Sequence, residues 1–294
     1  CSNGGASSET SLLDILELGI VLPVTRAAGA RASLTLGQCG RAFRGAASDA
    51  AGRPLVAALS LDGLVASKAL KRVAPEHLLD LAVDLEACPW TAKAVLSTLP
   101  KRLLRLRLDL AGCGLGDRGV RFLAAVLPRS VQHLHLDFRE CEVGPLGLGA
   151  LAVALPQSLV DLHLNLCRCP IGDEGSEALT AVLPSLPLKR LHLDFDNSGV
   201  RASGAQALGL AAKRLDLERL HLDFSRCAVG TDGGRALATA LPDDLRSLHL
   251  DLSGAEVGPE AAQLLAAALP PKLTSLYLGL HQCCAGTAGA LAVA

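Results

Sequence analysis

The sequence predicts an α/β solenoid, with a curved parallel sheet inside, helices outside and a small helical segment at the N-terminal end. Three observations predict it. One pattern recurs with steps of 28, 28, 29, 29, 28 and 28 residues. Each copy changes from period two to helical spacing halfway through. Half of the residues (50%) are apolar, yet only 2% are aromatic. A core of Leu, Val and Ala suits many thin, similar layers better than one bulky centre.

The repeat reads L-x-x-L-x-L-x-[LF]-x-x-C-x-[LVI]-G, starting at Leu103, Val131, Leu159, Leu188, Leu217, Leu245 and Leu273. A looser copy starts at Leu78 and a weaker one at Val56. Within a unit, strict alternation comes first, as in Leu134-His-Leu136-Asp-Phe138. Such alternation marks a strand with one buried face. Next comes a glycine (Gly116, Gly144, Gly172, Gly230, Gly258, Gly286), suited to a turn that needs backbone freedom. Helical spacing follows, as in Val120, Leu123, Ala124 and Leu127. Then Pro128, Pro156, Pro184, Pro242 or Pro270 stops the helix and returns the chain to the next strand. The fourth unit is irregular, with Ser198 at the cysteine position and a helix running through Gly209 to Lys213.

One strand and one helix cannot bury their apolar faces alone, but stacked units can. The repeat resembles the ribonuclease-inhibitor-like class of leucine-rich repeats, through stretches such as Cys169-Pro-Ile-Gly-Asp-Glu-Gly175 followed by Ala178, Leu179 and Leu183. That resemblance implies a protein-interaction scaffold rather than an enzyme. The sequence departs from the family in the extra x-[LF] before the cysteine. The expected result is a strand longer by a dipeptide and an inner face with two columns.

The first column reads Arg107, His135, His163, His192, His221, His249, Tyr277. The second reads Asp109, Asp137, Asn165, Asp194, Asp223, Asp251, Gly279, with Asp84 extending it backward. Parallel strands bring like residues within about 4.8 Å of each other. Stacked carboxylates repel, and protonating the imidazoles beside them would relieve this, so raised His pKa values are expected. Three readings of the ladder stay open: a relic of repeat copying, a partner-binding surface that also uses Arg139, Glu140, Arg168, Asp196 and Arg226, and a metal site. The last needs ligands converging on one point, whereas ladders point outward in parallel.

Cys113, Cys141, Cys169, Cys227 and Cys283 recur at one repeat position and read as buried thiols. They match no zinc knuckle. No Walker loop, dinucleotide fingerprint or nucleophile elbow occurs. The net charge of −1 and the shortage of aromatics argue against nucleic acid. No apolar run reaches the roughly 18 residues of a membrane span. No cofactor and no catalysis are expected. Free cysteines suggest a reducing, cytoplasmic setting. Met is absent, so the chain reads as a fragment of a longer frame.

The expected organisation is disorder over 1–10, a helical segment over 11–52, and a solenoid over 53–294 that is irregular to 102 and regular from 103. The helical segment also resembles an F-box through Leu22, Pro23, Leu34, Cys39, Arg41, Phe43 and Arg44, though the early Leu-Pro of that motif is missing. The alternatives are a cap on the first repeat and an adaptor-docking motif using Leu12, Leu22, Pro23, Leu34 and Phe43. The motif would make the chain the substrate-recognition subunit of a ubiquitin ligase. Regulation of a small GTPase is a further expectation from similar repeats. Trp90 is expected to fill volume in the irregular stretch.

Overall fold

The computed structural model describes residues 23–26, 30–33, 56–57, 80–85, 92 and 95–283. Eight parallel strands form one sheet in chain order. They are β4 (Asp80–Asp84), β5 (Arg105–Asp109), β6 (His133–Asp137), β7 (Asp161–Asn165), β8 (Arg190–Asp194), β9 (Arg219–Asp223), β10 (Ser247–Asp251) and β11 (Ser275–Gly279). The register is in step throughout: Leu134 pairs with Leu162, Leu162 with Leu191, and Leu191 with Leu220. Among the described residues six α-helices form the outer layer: α1 (Gly116–Val126), α2 (Pro145–Ala154), α3 (Gly172–Thr180), α4 (Ala202–Ala212), α5 (Gly230–Thr239) and α6 (Gly258–Ala267). Each packs against the next in chain order.

The core lies between sheet and helices as repeated ladders. The third ladder, Leu110, Phe138, Leu166, Phe195, Phe224 and Leu252, is wholly buried. Burying such a side chain contributes about 1.5–3 kcal/mol, so the ladders hold the layers together without large aromatics elsewhere.

The expected longer strand is corrected. Each regular strand has five residues and ends at the Asp or Asn position. There the side-chain oxygen accepts the amide two residues on: Asp137 from Arg139 at 3.0 Å, Asn165 from Cys167 at 3.1 Å, Asp223 from Ser225 at 2.8 Å. This Asx turn bends the chain out of the strand. The next apolar residue still donates once across the sheet, as Phe138 does to Asn165, before it turns into the core. Two residues further on, each unit from β5 to β11 holds a left-handed residue (Gly112, Glu140, Arg168, Asn197, Arg226, Gly254, Gln282), with φ between 51° and 72°.

The cysteine position acts as expected. Sγ of Cys141 donates to the Leu110 carbonyl at 2.7 Å, that of Cys169 to Phe138 and that of Cys227 to Phe195, both at 3.0 Å. Each bond ties one unit to the unit before it. The glycines that open α1, α3, α5 and α6 (Gly116, Gly172, Gly230, Gly258) hold positive φ, from 53° to 72°. Helix starts are capped across units. Asp117 in α1 accepts the amides of Gly144 (2.7 Å) and Gly147 (2.9 Å) at the start of α2. Asp173 in α3 does the same for Arg201 (2.7 Å) and Gly204 (3.0 Å) at the start of α4. These carboxylates satisfy amides that a helix start leaves without partners.

In the N-terminal part, β1 (Pro23–Arg26) pairs antiparallel with β2 (Ala30–Ser33) and with β3 (Val56–Ala57). A helical segment was expected over 11–52; over Pro23–Arg26 and Ala30–Ser33 the backbone is strand instead. Val24 and Thr25 are β-branched and favour extended backbone. The weak copy at Val56 departs likewise, since Val56 pairs antiparallel with Thr25 and does not join the parallel sheet. Leu12, Leu22, Leu34, Phe43, Leu78 and Trp90 lie outside the described residues, as do residues 1–10 and the remainder of 11–52.

Candidate functional site

On the open side of the sheet, the residues between the inward leucines form columns. The structure brings together every expected residue from Arg107 to Tyr277, because the register matches His135 with His163, His163 with His192, and onward to Tyr277. The central column is a continuous stack of rings. Successive centroids from His135 to Tyr277 lie 3.8, 3.6, 3.6, 3.8 and 4.0 Å apart. The interplanar angles fall from 25° at the first pair to 8° between His221 and His249, and the last pair is at 11°.

Raised His pKa values are contradicted. Burial between neighbouring rings pushes His135 down to about 4, with Arg107 adding to the effect; Asp137 and Asp161 oppose it and are outweighed. His163, His192 and His221 are pushed down to about 3, first by burial and then by the repulsion between imidazoles. His249 is lowered as well, again chiefly by burial. A charged ring loses part of its solvation when it is stacked between neighbours. At neutral pH the column from His135 to His249 is therefore a flat, uncharged stripe.

The carboxylate column beside it is committed to turns, as described above. Burial, reinforced by Asp223, raises Asp194 to about 6. Burial also works to raise Asp251, but hydrogen bonds from Ser253, Ser225 and Tyr277 outweigh it and hold the carboxyl below its ordinary range. Arg139 binds both oxygens of Asp137, at 3.1 and 3.0 Å. Arg226 grips both oxygens of Asp196, and Arg168 pairs with Glu140 at 2.6 Å. These residues thus form an ion-paired border along the strand ends.

The sequence reading missed a third column, one residue ahead of the first inward leucine of each strand: Asp80, Arg105, His133, Asp161, Arg190, Arg219, Ser247, Ser275. Its residues vary, so repetition did not flag it. Arg105 pairs with Asp80 at 3.0 Å. Arg190 pairs with Asp161 at 2.8 Å and reaches His133 Nδ1 at 3.3 Å. A depression of about 330 Å³ lies between this column and the ring stack, lined among others by Ala82, Arg105, Arg107, His133, His135 and Asp161.

Among the described residues no three His, Cys, Asp or Glu side chains converge as metal ligands. None of the described helices is long and apolar enough to cross a membrane. The face offers a flat neutral stripe between a partly basic border and an ion-paired one. That chemistry suits the recognition of a large ligand.

A family model described as Leucine Rich repeat matches residues 106–124, 157–179 and 220–238, each match starting in or just before a strand and ending in the following helix. A comparison with curated proteins finds no match. Among solved structures, a chain from the Rad7 and Elc1 complex in yeast is similar at 18% identity and a TM-score of 0.47, with 76% of this chain and 63% of that chain covered. This chain thus spans less than two thirds of the length of that relative. The leucine-rich repeat-containing protein LegL7 from Legionella pneumophila is similar at 13% identity and a TM-score of 0.30, with 74% and 90% covered.

Proposed function

Because the chain is a leucine-rich-repeat protein, we propose that it is a non-catalytic scaffold that holds a protein partner on its concave face. The observation that carries this reading is the ring stack. Five imidazoles and a tyrosine are aligned on the open side of the sheet, with His135 to His249 uncharged at neutral pH. Such a stripe costs little to desolvate further, and aromatic groups are favoured at protein interfaces.

The test is affinity capture from a native lysate with the intact chain and with a His192→Ala/His221→Ala variant. The neighbouring carboxylates are left alone, since they hold turns. A partner captured by the intact chain and lost by the variant supports the reading. Identical capture by both overturns it.

We also propose that the segment before β4 caps the solenoid. Leu81 and Val83 on β4, and Leu85 just after it, are at most 2% exposed, whereas Leu276 on β11 is 42% exposed. A buried terminal layer is what a cap provides. Deleting residues 1–52 should expose that layer and lower Tm; an unchanged Tm would sink the cap.

A further inference from the structure

The concave face carries two guanidinium groups that the fold does not use. Arg107 and Arg219 are both exposed, and neither has a hydrogen bond or ion pair among the described residues. Their neighbours differ: Arg105 is held by Asp80, Arg190 by Asp161, Arg139 by Asp137 and Arg226 by Asp196. Arg107 sits at the end of the ring stack, where Ala82 follows it in the column and leaves the depression open beside His135. Arg219 flanks the same stack four strands on, in the neighbouring column.

Resting on the binding role proposed for the concave face, we propose that this face takes an extended acidic segment of a protein partner, running across the strands along the ring stack, with carboxylates anchored on Arg107 and Arg219. Three features fix this occupant. An unpaired guanidinium presents a planar fork that matches a carboxylate. Four strand spacings of about 4.8 Å separate the two arginines by roughly 19 Å across the sheet at the backbone, and less at the converging side-chain ends, a distance within the reach of about six extended residues. On the far side of the stack, Asp109, Asp194, Asp223 and Asp251 repel an acidic chain, which keeps it on the basic side. The neutral rings lie between the anchors and face the segment's backbone and side-chain stems.

The experiment uses the full chain and a fluorescein-labelled peptide of about twelve residues, with two Glu-Glu pairs six residues apart in a Gly-Ser background. A control peptide of the same composition has the pairs adjacent. Anisotropy at low salt should show binding of the first peptide and binding at least about 10-fold weaker for the control. Arg107→Gln and Arg219→Gln should each weaken the first peptide about 10-fold. Arg235→Gln, on the outer helix layer, should leave it unchanged, and melting curves should show all variants folded. No binding of the spaced peptide, or binding indifferent to Arg107 and Arg219, overturns the proposal. So does displacement of the peptide by a single-stranded RNA oligomer that binds more tightly through the same two arginines. Lysate capture separates this failure from the broader one. A partner lost with the histidine variant but kept by both arginine variants leaves the concave face as the site and removes the acidic segment.

Discussion

The carboxylate of Asp117, on α1, accepts the amide of Gly147, on α2, at 2.9 Å. The approach leaves no room for a side chain: a Cβ on Gly147 would lie 2.6 Å from Asp117 Oδ1 and 2.9 Å from its Cα. Gly147→Ala should therefore destabilise the fold by about 1–3 kcal/mol through overpacking and loss of the cap. Gly149→Ala, whose Cβ would meet Ala178 Cβ at an ordinary 3.5 Å, should stabilise the same helix by about 0.5–1 kcal/mol. Thermal denaturation of the two variants checks both signs; a similar shift for both would count against the cap.

Stability should depend on pH in the direction set by the histidines. Their folded pKa values lie below the ordinary 6.5, at about 4 for His135 and about 3 for His163, His192 and His221. Between these values and 6.5 the unfolded chain binds more protons, so stability is complete above pH 6.5 and falls as pH drops toward 3. Asp194, raised to about 6, works the other way over part of this window, and four lowered histidines outweigh it. Tm should be lower at pH 5 than at pH 7.5. In NMR titration the ring protons of the central histidines should have midpoints below 6.5. Midpoints at or above 6.5 would refute the neutral stack.

The cysteine ladder predicts both a stability difference and a reactivity. Cys141→Ser keeps a donor for the Leu110 carbonyl, as Ser198 keeps a hydroxyl at the equivalent site; Cys141→Ala removes the donor and should cost about 1 kcal/mol. Burial pushes the Cys141 thiol up to about 11 and also raises Cys169 and Cys227. In the folded chain iodoacetamide at pH 8 should leave these three unmodified, and should label them after denaturation. Rapid labelling of the native chain would contradict their buried placement.

The repeat was legible from spacing alone because each position of the unit does one job in every copy. Leucine columns, the cysteine column and the prolines after the helices all lie where periodicity puts them. Other features escaped. The role of Asp137 and its equivalents was read as charge, although Asn165 in the same column pointed to hydrogen bonding: the two residue types share an acceptor oxygen and not a charge. The sign of the His shifts was missed because sequence spacing shows which rings are neighbours, not that they close to contact and exclude water. Arg190, His133 and Asp161 form a cluster between non-identical residues of adjacent units, which no repeat alignment highlights. At Val24 and Thr25 local β preference, not longer-range helical spacing, agrees with the strand.

The ring stack also bears on the shape of the molecule. Hydrogen bonding sets parallel strands about 4.8 Å apart, yet the imidazole centroids of His163, His192 and His221 are 3.6 Å apart. Side chains projecting from the inside of a bend converge, and these have converged to van der Waals contact, where further approach meets steep repulsion. The column therefore acts as a compression stop. The arc can open without resistance from the rings but cannot tighten past them. Shrinking the rings to alanine would remove that stop and leave the radius of the arc to the packing of the helices outside.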